Sequence, residues 1–325
     1  MAENKFTAAV VQDSPVVFDR EATLDKAHGL ALEARASGDD VRLIVFPEAF
    51  VSAYPKGLDF GARMGMRSAE GRDDFARYFE SAVEVPGPAC ERLGETARAA
   101  GAHLVIGVIE RDGGTLYCTA LMFAPDGALL AKHRKLMPTA LERLVWGFGD
   151  GSTLPVIETP VGRLGTVICW ENYMPLLRTA MYAKGIELYC APTADDRETW
   201  PATMTHVALE GRCFVFSACQ YLIRSDCPDD YAAIQGNAPD TVLMRGGSLI
   251  VSPLGKVLAG PHHDGPAILT AEIDRDEIAR GKYDFDVVGH YARPDIFRLH
   301  VNERATPAVV SHHGRETPAD PFAEE

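Results

Sequence analysis

The stretch Val167-Ile168-Cys169-Trp170-Glu171-Asn172-Tyr173-Met174-Pro175 (VICWENYMP) places a cysteine, an aromatic residue, an acid and an amide after an apolar run. The apolar residues before Cys169 suit a buried β-strand, and residues 155–159 and 164–169 around a turn at 161–163 fit a hairpin. Taken alone, such a cysteine is more often a small buried hydrophobe than a nucleophile. Its role therefore depends on which other residues the fold brings to the end of this strand.

The same kind of strand recurs along the chain, where short β-branched runs alternate with longer stretches of helical periodicity. This alternation, together with tight turns such as Pro125-Asp126-Gly127, predicts a mixed sheet system covered by helices. The predicted strands cover residues 7–12, 42–46, 103–109, 115–123, 128–133, 155–159, 164–169, 187–191, 214–219, 247–251, 256–258 and 267–273. The predicted helices cover residues 21–36, 72–82, 89–100, 176–184 and 199–212.

The composition is that of an ordinary globular protein of 325 residues, with 46% hydrophobic and 24% charged residues. A formal net charge of −14 argues against nucleic acids and anionic membranes as partners. The sequence has no signal-peptide pattern and no apolar run approaching the roughly 18 residues of a membrane span. We expect one domain over residues 1–300, a polar, flexible tail over residues 301–325, and a cytoplasmic location.

The remaining motifs argue against a metal or an organic cofactor. The seven cysteines are odd in number and form no C-x-x-C pair, so neither a disulfide framework nor a zinc site is expected. The paired histidines lack the spacing of metal ligands, and no H-E-x-x-H occurs. The glycine-rich run at residues 147–151 lacks the Lys-Ser/Thr ending of a phosphate-binding loop, and no G-x-S-x-G is present.

Three segments share one layout, in which an apolar strand ends at a chemically useful residue. Glu48 follows the strand in RLIVFPEAF, Lys135 follows the run in ALLAKHRKLMPT, and Cys169 ends the strand in VICWENYMP. Ligand-binding loops gather at strand ends in open α/β sheets, so these residues can converge on one pocket. Each residue also has a less specific explanation: Glu48 can cap the segment that follows it, and Lys135 lies in a basic run typical of a solvated surface.

The three residue types fit one reaction. A free thiol has a pKa of about 8.5 and needs activation at neutral pH. A carboxylate such as Glu48 can take the proton of Cys169 as a general base. An ammonium such as Lys135 can stabilise negative charge that develops on the attacked atom. A nucleophile with this support suits an uncharged carbon that bears nitrogen, as in a nitrile or an amide.

The segments FPEAF, HRKLMPT and VICWENYMP, in this order and spacing, resemble the three catalytic blocks of the nitrilase superfamily of carbon–nitrogen hydrolases. CWEN, with CAPTADDRETW at residues 190–200 and HVALEGRCFVFSACQ at residues 206–220, is similar to the true nitrilase branch, of the bacterial arylacetonitrilase or aliphatic type. The resemblance spans about residues 5–295. It implies a four-layer α-β-β-α sandwich, in which two mixed sheets pack face to face with helices outside.

The resemblance also implies roles for individual residues. Glu48 would be the general base, Lys135 the cation beside the tetrahedral species and Cys169 the nucleophile. Glu142 matches a second acid that positions Lys135 or a water, and Glu171 is expected to be structural. The residues flanking the nucleophile are expected to shape the pocket or support its turn, and the aromatic positions favour an aryl or arylalkyl nitrile. The expected substrate-binding residues are Tyr54, Trp146, Trp170, Asn172, Thr193 and Trp200.

The activity implied by the resemblance is hydrolysis of a nitrile to the carboxylic acid and ammonia, through a covalent cysteine thioimidate and thioester and without a cofactor. Alternatives stay open: a cyanide hydratase or dihydratase, another amide-producing variant, an aliphatic amidase, or an inactive member that acts as a scaffold. CWEN and the CAPTADDRETW block favour nitriles over amides. The resemblance further implies a homo-oligomer built from dimers and extending into a spiral or filament. The polar segment 223–240 is placed like insertions that form additional interfaces.

Overall fold

The computed structural model describes residues 4–310, which form two β-sheets packed between two layers of helices. The strands in this range are β1 (Lys5–Gln12), β2 (Val41–Val45), β3 (Ala62–Arg63), β4 (Met66–Arg67), β5 (His103–Asp112), β6 (Thr115–Phe123), β7 (Leu129–Arg134), β8 (Val156–Thr159), β9 (Gly162–Thr166), β10 (Leu188–Cys190), β11 (Phe214–Ser217), β12 (Tyr221–Ile223), β13 (Val242–Val251), β14 (Val257–His263) and β15 (Ala267–Asp274). The α-helices are α1 (Arg20–Ala36), α2 (Ala69–Ser81), α3 (Pro88–Ala100), α4 (Glu142–Val145), α5 (Pro175–Ala183), α6 (Trp200–Gly211) and α7 (Asp276–Gly281).

The first sheet has six strands in the order β15-β1-β2-β5-β6-β7. Strands β1, β2 and β5 are parallel, whereas β15, β6 and β7 pair antiparallel with their neighbours. Successive side chains of a strand point to opposite faces, so Ala8 and Val10 of β1 face the second sheet. Ala9 and Val11 pack into the cluster formed with α1 and α3. Both faces of β1 are therefore buried, which explains why its sequence is apolar almost throughout.

The second sheet has the order β12-β13-β11-β10-β9-β8, with β14 paired to β13. Leu188 and Phe216 on its inner face pack against the first sheet. Its outer face is covered by α5 and α6, whose Met181 and Met204 pack in one cluster with Tyr189 of β10. The layers are therefore α-β-β-α, as predicted.

Helix ends follow local signals in the sequence. Asp19 accepts a hydrogen bond from Ala22 N (2.9 Å) at the start of α1, and Ser68 accepts one from Gly71 N (3.0 Å) at the start of α2. Helix α3 ends at Gly101, whose φ of 62° lies in the left-handed region that favours glycine. These side chains and this glycine satisfy backbone groups that a helix leaves unpaired at its ends.

Most predicted elements are confirmed within a few residues, but the strand predicted over residues 164–169 is wrong at its end. Strand β9 stops at Thr166, and Cys169–Tyr173 form a 3₁₀-helix. The side chains of Glu171 and Asn172 bond the preceding backbone and so favour a turn over continued pairing. Hairpin β3–β4, strand β12 and helices α4 and α7 were not predicted, because such short elements show no periodicity.

Residues 301–310 lie on the surface without helix or strand. Thr306 N donates to Asp150 Oδ2 at 2.8 Å, and Glu303 pairs with Lys184 at 2.9 Å, so this segment lies against the loop before β8 and the end of α5. The domain boundary at residue 300 and the flexible tail stay predictions, and residues 311–325 lie outside the described residues. Within residues 4–310, no helix combines the length and the apolar character needed to cross a membrane.

Gly107 in β5 allows the segment that carries Glu48 to run close against the first sheet. Gly107 N donates to Pro47 O, and Gly107 O accepts from Val51 N, both at 3.1 Å. A Cβ at position 107 would meet Pro47 O and would lie 2.7 Å from Glu48 Cα, which is closer than carbon atoms pack. Only a residue without a side chain therefore fits here.

We expect Gly107→Ala to destabilise the protein by about 1–3 kcal/mol, the usual range for overpacking of a core, because the backbone at Glu48 must move. Chemical denaturation followed by circular dichroism measures the change. Gly114→Ala is the matched control, since a Cβ there meets nothing within 4 Å. Equal stability of the two variants would contradict the proposed constraint.

Candidate active site

Glu48 is buried and is the third residue after β2, which ends at Val45. Its Oε1 accepts hydrogen bonds from Lys135 Nζ at 2.7 Å and from Cys118 Sγ at 3.4 Å. Gln220 Nε2 donates to the backbone oxygen of Glu48 at 2.8 Å and so fixes the position of this segment. Among the described residues, Glu48 Oε2 has no hydrogen-bond partner, which leaves one carboxylate oxygen available to accept a proton.

Lys135 follows β7 directly and is buried between two carboxylates. Its backbone N–H donates to Cys118 O at 2.8 Å, which holds the residue against β6. Its Nζ donates to Glu48 Oε1 and to Glu142 Oε2, both at 2.7 Å, and lies 5.5 Å from the centre of the Trp146 ring. The basic run at residues 132–135, a pattern typical of a solvated surface, therefore ends in a buried lysine.

Glu142, the first residue of α4, is the second carboxylate that accepts a hydrogen bond from Lys135 Nζ. Its Oε2 also accepts from Thr139 N at 2.6 Å, and its Oε1 accepts from the hydroxyl of Tyr54 at 2.7 Å. Burial, together with the nearby charge of Glu142, raises the pKa of Tyr54 well above its ordinary value, so Tyr54 remains a donor. Glu142 is thus held in place by two donors besides Lys135.

Cys169 opens the 3₁₀-helix with a φ of 51°, a conformation that few residues other than glycine adopt. Cys169 N donates to Pro192 O at 2.9 Å, which places the residue beside the segment that follows β10. The hydroxyl of Thr193 lies 3.3 Å from Cys169 Sγ and accepts from Asp195 N at 2.9 Å. The N–H of Asp195 donates to the hydroxyl oxygen of Thr193, so the hydroxyl hydrogen of Thr193 is free to point at the Cys169 sulfur.

The charges around Cys169 favour a neutral thiol beside a base. Burial raises the pKa of Cys169, the charge of Glu48 raises it further, and the charge of Lys135 opposes both. Burial also raises the pKa of Glu48, against the opposing charge of Lys135. Burial alone would lower the pKa of Lys135, but the charges of Glu48, Cys169, Cys118 and Glu142 together outweigh it and raise the pKa well above its ordinary value. Lys135 therefore stays an ammonium, and Cys169 must lose its proton to act as a nucleophile.

Two neighbouring cavities lie at this cluster. The first has a volume of about 180 Å³ and reaches Cys169. The second, of about 340 Å³, shares Tyr54, Lys56, Thr139 and Glu142 with the first, and its other walls are largely apolar. The first is lined by Tyr54, Lys56, Thr139, Glu142, Cys169, Trp170, Ala194, Asp195, Asp196 and Arg197. The second adds Pro55, Gly57, Leu58, Phe60, Ala140, Leu141, Val145, Trp146, Ile234 and Gln235.

Three of the six predicted substrate-binding residues line these cavities, and a fourth contacts the Cys169 sulfur. Tyr54 lines both cavities, Trp146 lines the larger one and Trp170 the smaller one. Thr193 contacts the Cys169 sulfur. The indole nitrogen of Trp170 donates to Asp195 at 2.8 Å, and the guanidinium of Arg197 lies over its ring.

The structure does not place Asn172 and Trp200 in the cavity walls. Asn172 is fully buried, and its amide donates to Val167 O and Cys169 O at 3.1 and 2.8 Å, so it supports the turn that begins at Cys169. Trp200 is buried in the core under α5 and α6, and its indole nitrogen donates to Ser217 at 2.9 Å. Trp200 is the first residue of α6 and faces inward. The sequence block that contains it does not show this orientation.

Several residues at the site were not predicted from the sequence. Cys118 and Gln220 hold Glu48, and Lys56, Asp195 and Arg197 line the cavity at Cys169. Asp195 and Gln220 lie inside the two downstream blocks quoted above, so the sequence marked their neighbourhood. The sequence did not reveal the roles of these two residues, because Gln220 bonds Glu48 and Asp195 bonds Trp170, which lie far from them along the chain.

The sequence profile of the family described as "Carbon-nitrogen hydrolase" matches residues 7–283. The chain belongs to this family. It is 62% identical to an aliphatic nitrilase of Sinorhizobium fredii (strain HH103), over 94% of this chain and 99% of that protein. It is 56% identical to a bifunctional nitrilase/nitrile hydratase, NIT4A, of Lupinus angustifolius, over 93% of this chain and 88% of that protein.

A solved structure supports the fold independently. The crystal structure of a carbon-nitrogen hydrolase from Helicobacter pylori G27 matches with a TM-score of 0.74 and 20% sequence identity, covering 91% of this chain and 98% of that one. At this identity the likeness concerns the fold alone. The predicted nitrilase-superfamily membership and the sandwich fold are therefore confirmed.

Proposed function

We propose that this protein is a nitrilase that hydrolyses a nitrile to the carboxylic acid and ammonia, with Cys169 as the nucleophile. The observation that carries this proposal is the buried arrangement of Cys169, a carboxylate with a free oxygen, and an ammonium held 2.7 Å from that carboxylate. The relatives named as nitrilases, at 62% and 58% identity over 94% of this chain, support it further.

In the first half of the proposed reaction, Glu48 Oε2 takes the proton of the Cys169 thiol and the sulfur attacks the nitrile carbon. One bond of the carbon–nitrogen triple bond opens, and the electron pair moves to nitrogen beside the Lys135 ammonium. The nitrogen takes the proton that Glu48 accepted from the thiol, which gives a covalent thioimidate and returns Glu48 to its carboxylate. Removing a preorganised donor of this kind costs about 3–4 kcal/mol in other acyl-transfer enzymes, so Lys135 accounts for a large share of the rate.

In the second half, Glu48 takes a proton from water, which adds to the thioimidate carbon. The tetrahedral intermediate expels ammonia after its nitrogen is protonated, and a thioester remains. A second water, activated in the same way, releases the carboxylic acid and returns the proton to sulfur. The balance is one nitrile and two waters giving one acid and one ammonia. Glu142 keeps Lys135 in place through both halves, and the hydroxyl of Thr193 stabilises the thiolate.

The alternatives differ in which bond breaks in the tetrahedral intermediate. If the thiol leaves in place of ammonia, the product is the amide, as in the cyanide hydratases and in other amide-producing variants. The relatives named as bifunctional nitrilase/nitrile hydratases, at 53–56% identity, keep this output as the second candidate. An aliphatic amidase is less favoured, because the amidase structures that match are about 20% identical and speak for the fold alone. A scaffold without activity does not explain the complete set of Glu48, Lys135 and Cys169.

The larger cavity is the proposed binding site for the group attached to the nitrile carbon. Its wall combines Trp146 and Phe60 with Leu58, Val145 and the exposed Ile234, an apolar surface suited to an aryl, arylalkyl or extended aliphatic group. Its volume of about 340 Å³ lies in the usual range of ligand pockets.

We also propose a homo-oligomer built from dimers, which can extend into a spiral or filament. Large apolar side chains are exposed at Leu176 near the start of α5, at Tyr173 just before α5, and at Leu209 of α6. Such exposure is typical of interaction surfaces. In the segment 223–240, Ile234 is 87% exposed. A cytoplasmic location is proposed from the seven free cysteines, which suit a reducing compartment.

Cys169→Ala is expected to reduce acid and ammonia release from phenylacetonitrile more than about a thousandfold, because loss of the nucleophile removes the covalent route. Acid, amide and ammonia are measured together by chromatography and an ammonia assay. Cys90→Ala, which removes a buried thiol in α3, is the matched control and should keep the native rate. Native turnover by Cys169→Ala would exclude the mechanism, whereas an excess of amide in the native protein would favour the second candidate.

Val145→Phe is expected to fill part of the larger cavity. We expect the KM for phenylacetonitrile to rise about tenfold, which corresponds to about 1.4 kcal/mol of lost binding, while the KM for propionitrile stays within a factor of two. Val242→Phe at the exposed start of β13 is the control for the added ring. A parallel change for both substrates would show that the group on the nitrile carbon binds elsewhere.

Size-exclusion chromatography with light scattering tests the oligomer, and we expect a dimer or a multiple of it. Leu176→Lys should shift the mass toward the monomer, because it places a charge in the proposed apolar contact. Met64→Lys, in the exposed turn between β3 and β4, serves as the control. A native protein that elutes only as a monomer would refute the assembly.

A further inference from the structure

His133 and Glu171 form a buried pair that the proposed reaction does not use. Both side chains are fully buried, and His133 Nε2 lies 2.9 Å from Glu171 Oε2. His133 lies two residues before Lys135, and Glu171 lies two residues after Cys169. The pair therefore connects the segment that carries the cation with the segment that carries the nucleophile.

The Glu171 carboxylate bonds the backbone of both segments. Its Oε1 accepts from Leu136 N at 2.6 Å, and its Oε2 accepts from Ile168 N at 2.9 Å. Leu136 is the residue directly after Lys135, and Ile168 is the residue directly before Cys169. One rigid group thus holds positions adjacent to both reactive side chains.

His133 completes the hydrogen bonding of this carboxylate. Its Nδ1 lies 2.5 Å from Thr153 O, and since a carbonyl only accepts, Nδ1 carries a hydrogen. Burial alone would lower the pKa of His133, but the charge and hydrogen bond of Glu171, with the Thr153 carbonyl, raise it above its ordinary value. Both ring nitrogens of His133 and both carboxylate oxygens of Glu171 therefore have partners.

The backbone at Cys169 needs such support. A φ of 51° in a residue other than glycine persists only where surrounding contacts determine it. Asn172 contributes by bonding Val167 O and Cys169 O, but these contacts lie within the turn itself. Glu171 is the residue of this turn whose side chain also bonds the Lys135 segment.

We propose that Glu171 and His133 act as one positioning unit, which sets the Cys169 sulfur relative to the Lys135 ammonium. Neither residue touches the substrate. The inference rests on the function proposed above for the Cys169 site, and it assigns to the acid of the CWEN block a role in rate rather than in folding alone. Loss of either member leaves the two segments free to shift relative to one another.

The test compares Glu171→Gln, His133→Gln and the double variant in the full chain. We expect kcat with phenylacetonitrile to fall about 10- to 100-fold, since a displacement of about 1 Å at a reacting group costs rates of this size, while KM changes by less than about threefold. The rate of Cys169 alkylation by iodoacetamide, followed by mass spectrometry, should fall with kcat. The double variant should be no worse than the poorer single variant, because residues that act as a unit are not additive.

Glu187→Gln is the matched control. Glu187 likewise accepts a backbone N–H, that of Arg163 at 2.9 Å, and pairs with Arg163 and Arg275, but it bonds neither the Lys135 nor the Cys169 segment. This variant should lose stability without slowing alkylation. Glu171→Asp is the milder variant, which keeps the charge but is one methylene too short to reach all three partners.

Any folded Glu171 or His133 variant with native kcat and native alkylation would overturn the proposal, as would losses that simply add in the double variant. Failure of all four variants to fold would also overturn it, because the pair would then serve the fold. Alkylation needs no nitrile, so it separates this inference from the proposed function. A native protein that releases no acid from nitriles refutes the function, while the alkylation rates still decide the positioning role.

Discussion

The site depends on the burial of the Lys135 ammonium between the carboxylates of Glu48 and Glu142. Taking these charges out of water costs free energy, which their mutual attraction and their further hydrogen bonds must offset. Removing one member of such a buried arrangement typically costs about 3–5 kcal/mol, since it leaves a charge without compensation. Lys135 bonds both carboxylates, so its ammonium links the segment after β2 to the start of α4.

The sandwich brings these segments together from both sheets. Glu48 and Lys135 follow β2 and β7 of the first sheet, whereas Cys169 and Thr193 follow β9 and β10 of the second. Strands β9 and β10 are parallel, so the segments after them leave the sheet at the same edge. Cys169 therefore reaches the base and the cation only when the two sheets are packed face to face. The proposed reaction therefore requires both sheets and not one sequence motif alone.

Under the function proposed above, substrate choice resides in a different part of the molecule from the reactive groups. Cys169 lines the smaller cavity and not the larger one, whose apolar walls come from α4 and from the segments around Tyr54 and Ile234. Tyr54 joins the two regions, because it lines both cavities and its hydroxyl bonds Glu142. A change in the outer walls can thus alter which nitrile binds while the reactive groups keep their geometry.

The sequence by itself determined the alternation of strands and helices, because periodicity is a local pattern. Its three short blocks pointed to Glu48, Lys135 and Cys169 and, through the family resemblance, to the four layers. It did not determine which side chains face the cavity. Trp200 packs in the core and Asn172 supports a turn, while unpredicted Gln220 holds Glu48 across 172 positions of the chain. Even the end of β9 depended on side chains that bond back to the backbone. Contacts between distant residues form only when the sheets pack, so the tertiary structure alone decided them.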